Sequence, residues 1–217
     1  MTTVEFSNEF DGLWSSFGGG LPLDEYEKSV YLTKAEEELV KGLYRGTILG
    51  VPLEDNEEIR RYLECLICTD NIKPSENKGI NKDSQIFKLK NDVLYIIYEH
   101  AELTEGVFCK NDTTLKIVPA RHDEWGVIKN NPFRGPNKRR IIRLDSGNNE
   151  VELISKYPIS EYIVRYVRKP NPIILVNLDN LSINGKSTIT ECELNDSLHR
   201  TILETAVKLA LSARASK

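Results

Sequence analysis

A chain of 217 residues with 40% hydrophobic and 29% charged side chains, nine of its residues tyrosine, has the composition of a folded protein and excludes a disordered or low-complexity chain. No apolar run approaches the ~18 residues of a bilayer-spanning helix, the start MTTVEFSNEF lacks a secretory-signal pattern, and four cysteines are too few for a disulfide scaffold, so folding in a cytoplasm without membrane association is expected. The formal charge of −4 is divided unevenly: residues 1–70 hold six Lys/Arg against fifteen Asp/Glu, and residues 71–217 hold 23 against 18. That asymmetry suits head-to-tail contact between copies or a basic face near nucleic acid, and it also suits two solvated halves.

In chain order, Ser7-Asn8-Glu9 predicts a short helix that ends in Gly18-Gly19-Gly20. Its apolar Phe6, Phe10, Leu13, Trp14 and Phe17 make residues 1–22 an N-terminal arm that must dock, with Phe6, Phe10, Trp14 and Phe17 as docking residues on a neighbour. A second helix is predicted from Asp24, with Thr33 and Glu36 as a capping box if it restarts there, and a third from Asp55 through Ile67. Residues 70–84 read as a loop closing the helical layer of residues 23–70. Beyond it, residues 93–103 read as a buried strand with residues 114–118 as its partner, and His122 to Lys129 as a short helix. Strands 139–144, 150–155 and 161–168 follow as an antiparallel meander, and in the last of these Tyr162, Val164 and Tyr166 share the core face. The chain closes with a helix near 196–213, capped by Asn195. The fold class is therefore α+β, with an N-terminal helical layer, an antiparallel β-meander and a C-terminal helix; residues 71–217 form the β-rich body, and the whole is one compact structural unit.

Catalytic chemistry finds little support. Cys65 and Cys68 have the spacing of a metal or redox pair, but zinc normally needs a second pair, and Cys109 and Cys192 stand alone. His122-Asp123-Glu124 is acidic and basic in one dimension only, without a converging third group. His199 falls on the apolar arc of the last helix, as a packing residue does. The glycine run lacks the Lys-Ser/Thr of a phosphate loop, and no common catalytic motif occurs. No catalytic residue, metal ligand or cofactor is expected. What stands out is a basic group, Arg134, Lys138, Arg139, Arg140 and Arg143, with Arg165 and Arg168 on a later strand. Solvated strand edges, a subunit contact and the lining of a DNA passage are the open readings. Alternation places Arg139 and Arg143 on one face, and Arg140 at a rim beside a carboxylate.

Three stretches carry a resemblance. They are LDEYEKSVYLTKAEEELV from Leu23; VPARHDEW from Val118 with Asn131-Pro132-Phe133 and Lys138-Arg139-Arg140 beyond it; and YIVRYVRKPNPIIL from Tyr162, completed by CELNDSLHRTIL from Cys192. Together they resemble virion structural proteins of the crAss-like tailed phages, with Lys90 and Asn195 standing where that family usually has Pro. The resemblance implies a non-enzymatic head–tail neck subunit forming a closed, twelve-fold homo-oligomeric ring. Such a ring stacks on the portal protein or on other neck and tail rings, and lies close to packaged DNA at the head–tail interface of the virion. A tail or capsid-decoration subunit is the nearest alternative, and a binding module using Cys65 and Cys68 the more distant one.

Overall fold

The computed structural model describes residues 1–48, 50–76, 79–104 and 114–215. They form two compact units, a helical one from Met1–Leu66 with Lys169–Lys217 and a sheet one from Ile67–Arg168.

In the helical unit, α1 (Thr3–Ser16) begins ahead of the predicted Ser7 because Thr2 and Glu5 form a capping box. The Thr2 hydroxyl accepts the Glu5 N–H, and the Glu5 carboxylate accepts the Thr2 N–H at 2.8 Å. Gly18 and Gly20, beyond its end, take φ of +72° and +76°, where any other residue would be strained. Helix α2 (Glu25–Arg45) starts at Asp24 as predicted and runs unbroken to a left-handed Gly46, so Thr33 is not a restart. Thr33 and Ser29, one turn apart and buried, serve the backbone of the extended segment after Pro172. Thr33 Oγ1 accepts the Ile173 N–H at 3.1 Å and Ser29 Oγ accepts that of Leu175 at 3.0 Å. These hydroxyls satisfy, on one side, the backbone of a strand-like segment whose Ile174 pairs on the other side with Thr190 in a single antiparallel bridge.

The third predicted helix is instead a 3-10 turn at Leu53–Asp55, a short α3 (Glu57–Tyr62) and a second turn at Glu64–Leu66. Asn56 accepts the Glu58 N–H and so fixes a later start. From Ile67 the chain is strand, because pairing with a distant segment overrides the local helical period. Ile59, Leu63 and Leu66 of the predicted stripe are nonetheless fully buried. Helix α5 (Asp196–Ala215) is capped by Asn195 and packs on α1 and α2. The C-terminal helix thus belongs with the N-terminal ones, and the compact unit boundaries fall at Leu66 and Lys169, away from the expected division at residue 71.

The sheet unit contains β1 (Ile67–Ile72), β2 (Ser84–Lys88), β3 (Val93–Leu103), β4 (Thr114–Pro119), β5 (Arg140–Gly147), β6 (Glu150–Ile154) and β7 (Ile159–Arg168), with α4 (His122–Ile128) between β4 and β5. Their order is β1-β7-β3-β4-β5-β6-β2. The class is α+β, but the meander is corrected in two places. Strand β5 runs parallel to β4, since a helix rather than a hairpin joins them, and β7 leaves β6 to lie between β1 and β3. The β5–β6 hairpin and the β3–β4 pair form as predicted.

One sheet face buries Phe87, Leu115, Ile117, Ile141, Leu153, Tyr162, Val164 and Tyr166; the other packs Ile142, Leu144 and Ile154 under Ile128 and Trp125 of α4. The sheet curls enough for Phe87 of β2 to meet Tyr162 of β7 edge-on at 5.5 Å. There the Gln85 amide accepts the Ile159 N–H at 2.7 Å and donates to the Ile159 carbonyl at 3.3 Å, imitating a ladder pair.

Candidate functional site

The charge division noted in the sequence follows the two units. The helical unit carries twelve Lys/Arg against nineteen Asp/Glu, and the sheet unit seventeen against fourteen.

Within the sheet unit the basic residues separate into two kinds. Arg143 is structural. Alternation puts it on the inner face of β5, where its Nη1 lies 2.8 Å from Glu99 Oε1 of β3, with side-chain exposures of 12% and 9%. Its Nε lies 3.1 Å from Asp145 Oδ1, an ion pair without a hydrogen bond. Tyr162 donates its hydroxyl to the other Glu99 oxygen at 2.7 Å. Burial disfavours the Arg143 charge, but Glu99 outweighs it and holds the guanidinium pKa above its ordinary value; burial and then Glu99 push the Tyr162 hydroxyl upward. The expectation that Arg143 is free for a neighbour or for DNA is corrected by this network. Arg140 is half-buried as a rim residue should be, yet it meets a backbone carbonyl, that of Phe133, and not a carboxylate.

The remaining cations face outward. Lys138, Arg139 and Arg165 are exposed, and Arg134 is exposed with Glu124 4.0 Å away. Arg168 is half-buried and engaged. Arg134 and Arg139 project from a loop whose backbone is tightly held. Asn131 Oδ1 accepts the N–H groups of Phe133 and Arg134, and Asn137 Oδ1 accepts that of Arg139. Gly135 donates to the Asn131 carbonyl at 2.7 Å, and a Cβ there would lie 2.8 Å from the carbonyl oxygens of Asn131 and Ile128.

The arm residues are placed differently from expectation. Phe6, Phe10 and Trp14 recur every fourth residue of α1 and are fully buried in their own helical unit, with Phe6 tilted against His199 of α5 at 5.3 Å and Arg214 of α5 over the Trp14 ring. Lys28 of α2 reaches Asp11 of α1 at 2.7 Å and Glu25 at 2.9 Å, which fastens the two helices further. Phe17 alone of the four docking candidates is exposed.

The cysteine pair does not share a helix. Cys65 lies exposed in the second 3-10 turn, whereas Cys68 is in β1 and packs on the sheet core. Cys192 donates to buried Glu36, and Cys109 lies outside the described residues. No cluster of three or more potential metal ligands occurs among the described residues. His122 Nε2 contacts the Asp145 carbonyl and Asp123 is paired with Arg121, so the two side chains are engaged apart.

Two buried groups that sequence reasoning did not anticipate are Glu99 and Glu152. Glu152 accepts the Asn81 N–H at 2.7 Å, the Asn81 amide at 3.0 Å and the Ser84 hydroxyl at 2.6 Å, fixing the loop before β2. Burial would raise its pKa, but these hydrogen bonds prevail and hold it below the ordinary range. Acidic residues inside otherwise apolar strands, at Glu99 and Glu152, were the only signal available.

His199 yields a pH dependence. Its Nε2 faces the Leu194 carbonyl at 3.0 Å and must donate, which leaves Nδ1 as the acceptor, 2.8 Å from the Met1 amino nitrogen and 3.3 Å from Asp196 Oδ1. Burial first, and the Met1 ammonium second, lower its pKa. The unfolded chain therefore takes up a proton that the folded one resists, and stability is complete above about pH 6.5 and falls as the pH drops below it. Melting temperatures measured from about pH 7.5 to 5.5 should decline, and His199→Gln should flatten that slope; an unchanged slope would rule out His199 as its source.

A family model described as phage tail ring protein 3/4 matches residues 1–217. Ring protein 3 of Bacteroides phage crAss001 is 46% identical over 222 residues, covering 99% of this chain and 96% of the relative. Ring protein 4/5 of the same phage is 36% identical over 229 residues, covering 98% and 93%. With the match running the length of the chain and both relatives being ring proteins of a crAss-like phage, the chain belongs to the phage tail ring protein 3/4 family.

Proposed function

We propose that the protein is a structural, non-catalytic ring subunit of the head–tail connector, stacked between portal and tail and surrounding the DNA passage. Twelve copies form the closed ring in this reading, the order the resemblance implies, and no cofactor takes part. The observation that carries it is the whole-length similarity to two ring proteins at 46% and 36% identity. The charge distribution agrees with it: a ring closes through a heterologous contact between two unlike faces, and a net acidic helical unit and a net basic sheet unit supply opposite charge. Of the predicted basic group, Lys138, Arg139 and Arg165 are exposed and available to screen phosphate at a DNA passage.

A second reading, a ring within the tail below the neck, is favoured by the wording of the family description, which names the tail. Cryo-electron microscopy of purified particles separates the two. Ring density containing this chain at the head–tail junction supports the first, ring density further along the tail supports the second, and isolated single copies would overturn both.

A further inference from the structure

We propose that a cleft in the sheet unit receives the acidic segment around Glu54–Glu58 of a second copy, forming one lateral contact of the ring; this deepens the ring-subunit reading and rests on it. The cleft, of about 530 Å³, opens between the loop before β2 and the loop after α4, with Trp125 and Ile154 among its lining residues. Lys82, Lys129 and Lys156 line it against a single acid, Asp83, and all three lysines are exposed without an ion-pair partner among the described residues. Its margins carry the two most exposed large apolar side chains described, Ile80 at 91% and Phe133 at 83%, adjacent to the lining residues Asn81 and Pro132.

Both margins are fixed by hydrogen bonds to buried or backbone groups. Asn81 is held from three directions: its N–H and amide donate to Glu152, its Oδ1 accepts the Trp125 indole N–H at 2.8 Å, and its carbonyl accepts the Ser84 hydroxyl. Phe133 is held by Asn131 and by Arg140, as described above, and Gly135 has no room for a side chain. An apolar ring carried into water by a loop whose backbone is already fixed spares the backbone entropy that binding would otherwise take, and aromatic anchors dominate protein interfaces.

Charge complementarity argues for the occupant. A cleft with three unpaired lysines fits an acidic surface, and the helical unit of this chain has its densest exposed acid run at Glu54, Asp55, Glu57 and Glu58, beside exposed Pro52. Among the described residues Glu57 is tied only to Arg61, an exposed pair one helical turn apart that exchanges partners at little cost.

The test uses assembled particles carrying Lys129→Cys and Glu57→Cys in one chain on a Cys65→Ser background. Mild oxidation should give a reducible ladder of multiples of this chain that neither single-cysteine variant gives. An amine-reactive cross-linker applied to wild-type particles is the reference. If it yields homomultimers while the cysteine pair yields none, only an intrachain bond, or a bond to a different virion protein, the cleft is not the contact. If the reference yields no homomultimer, the ring reading itself falls. Should the cysteine variant fail to enter particles, charge exchange decides: Lys129→Glu with Lys156→Glu should lower incorporation about tenfold or more, and Glu54→Lys with Glu57→Lys in the same chain should restore it. Failure to restore, in a chain that melts like wild type, overturns the proposal.

Discussion

Arg143→Glu is expected to unfold the sheet unit, and to remove the protein from particles for that reason and not through a failed interface. The substitution places a carboxylate on the inner face of β5 beside Glu99 and Asp145, and leaves Glu99 buried without its cation. Breaking a buried ion pair from one side costs about 3–5 kcal/mol, a large part of the ~5–15 kcal/mol that holds a domain together, and like charges add to it. Urea unfolding should show the midpoint lost or sharply lowered. The double substitution Arg143→Met with Glu99→Gln should recover most of it, because both charges are removed and the glutamine oxygen still accepts the Tyr162 hydroxyl. Arg139→Glu, on an exposed side chain, should leave the midpoint unchanged within about 0.5 kcal/mol. A wild-type midpoint for Arg143→Glu would show that the Glu99 pair contributes nothing to the fold.

Removing residues 1–20 should destroy the helical unit as well as assembly, the reverse of what a docking arm would do. Phe6, Phe10 and Trp14 are all buried at 1% exposure or less, and their loss strips the apolar faces of α1's partners bare. Trp14→Ala alone should cost about 3–5 kcal/mol, since an aromatic cavity forms in a packed core and the ring under Arg214 disappears. Phe17→Ala, at an exposed position, should cost little. Circular dichroism through thermal unfolding reads all three; a truncated chain with wild-type helicity and melting would return the arm to the surface.

The helices were legible where caps and spacing are local. Asp24 and Asn195 begin α2 and α5 as their residue types indicate, and His122 to Lys129 forms α4 within a residue. The core face of β7 was legible too, because Tyr162, Val164 and Tyr166 alternate. Strand neighbours were not. Alternation says which face a residue takes and is silent on which strand lies beside it, so β7 read as the third strand of a meander although it pairs with β1 and β3. Strand β1 was missed for a related reason: Ile67 read as the end of a helix and residues 70–72 as loop, since the strand identity of Ile67–Ile72 comes from a partner about a hundred residues away. The arginines were grouped by nearness in sequence, yet only the fold shows that Arg143 faces Glu99 while Arg139 faces water. The cleft joins residues near 81, 129 and 155 that share no motif, and it was invisible for that reason.

The Gln85 amide that satisfies both backbone groups of Ile159 bears on how such a subunit survives before assembly. Strand edges with open N–H and carbonyl groups are templates for strand-to-strand pairing between copies. A side chain that occupies those groups from within the same chain leaves less for another copy to pair with, and the exposed charge of Lys88 on the same strand makes flat stacking less favourable still. Strand-to-strand stacking of copies at this edge is thereby made less favourable.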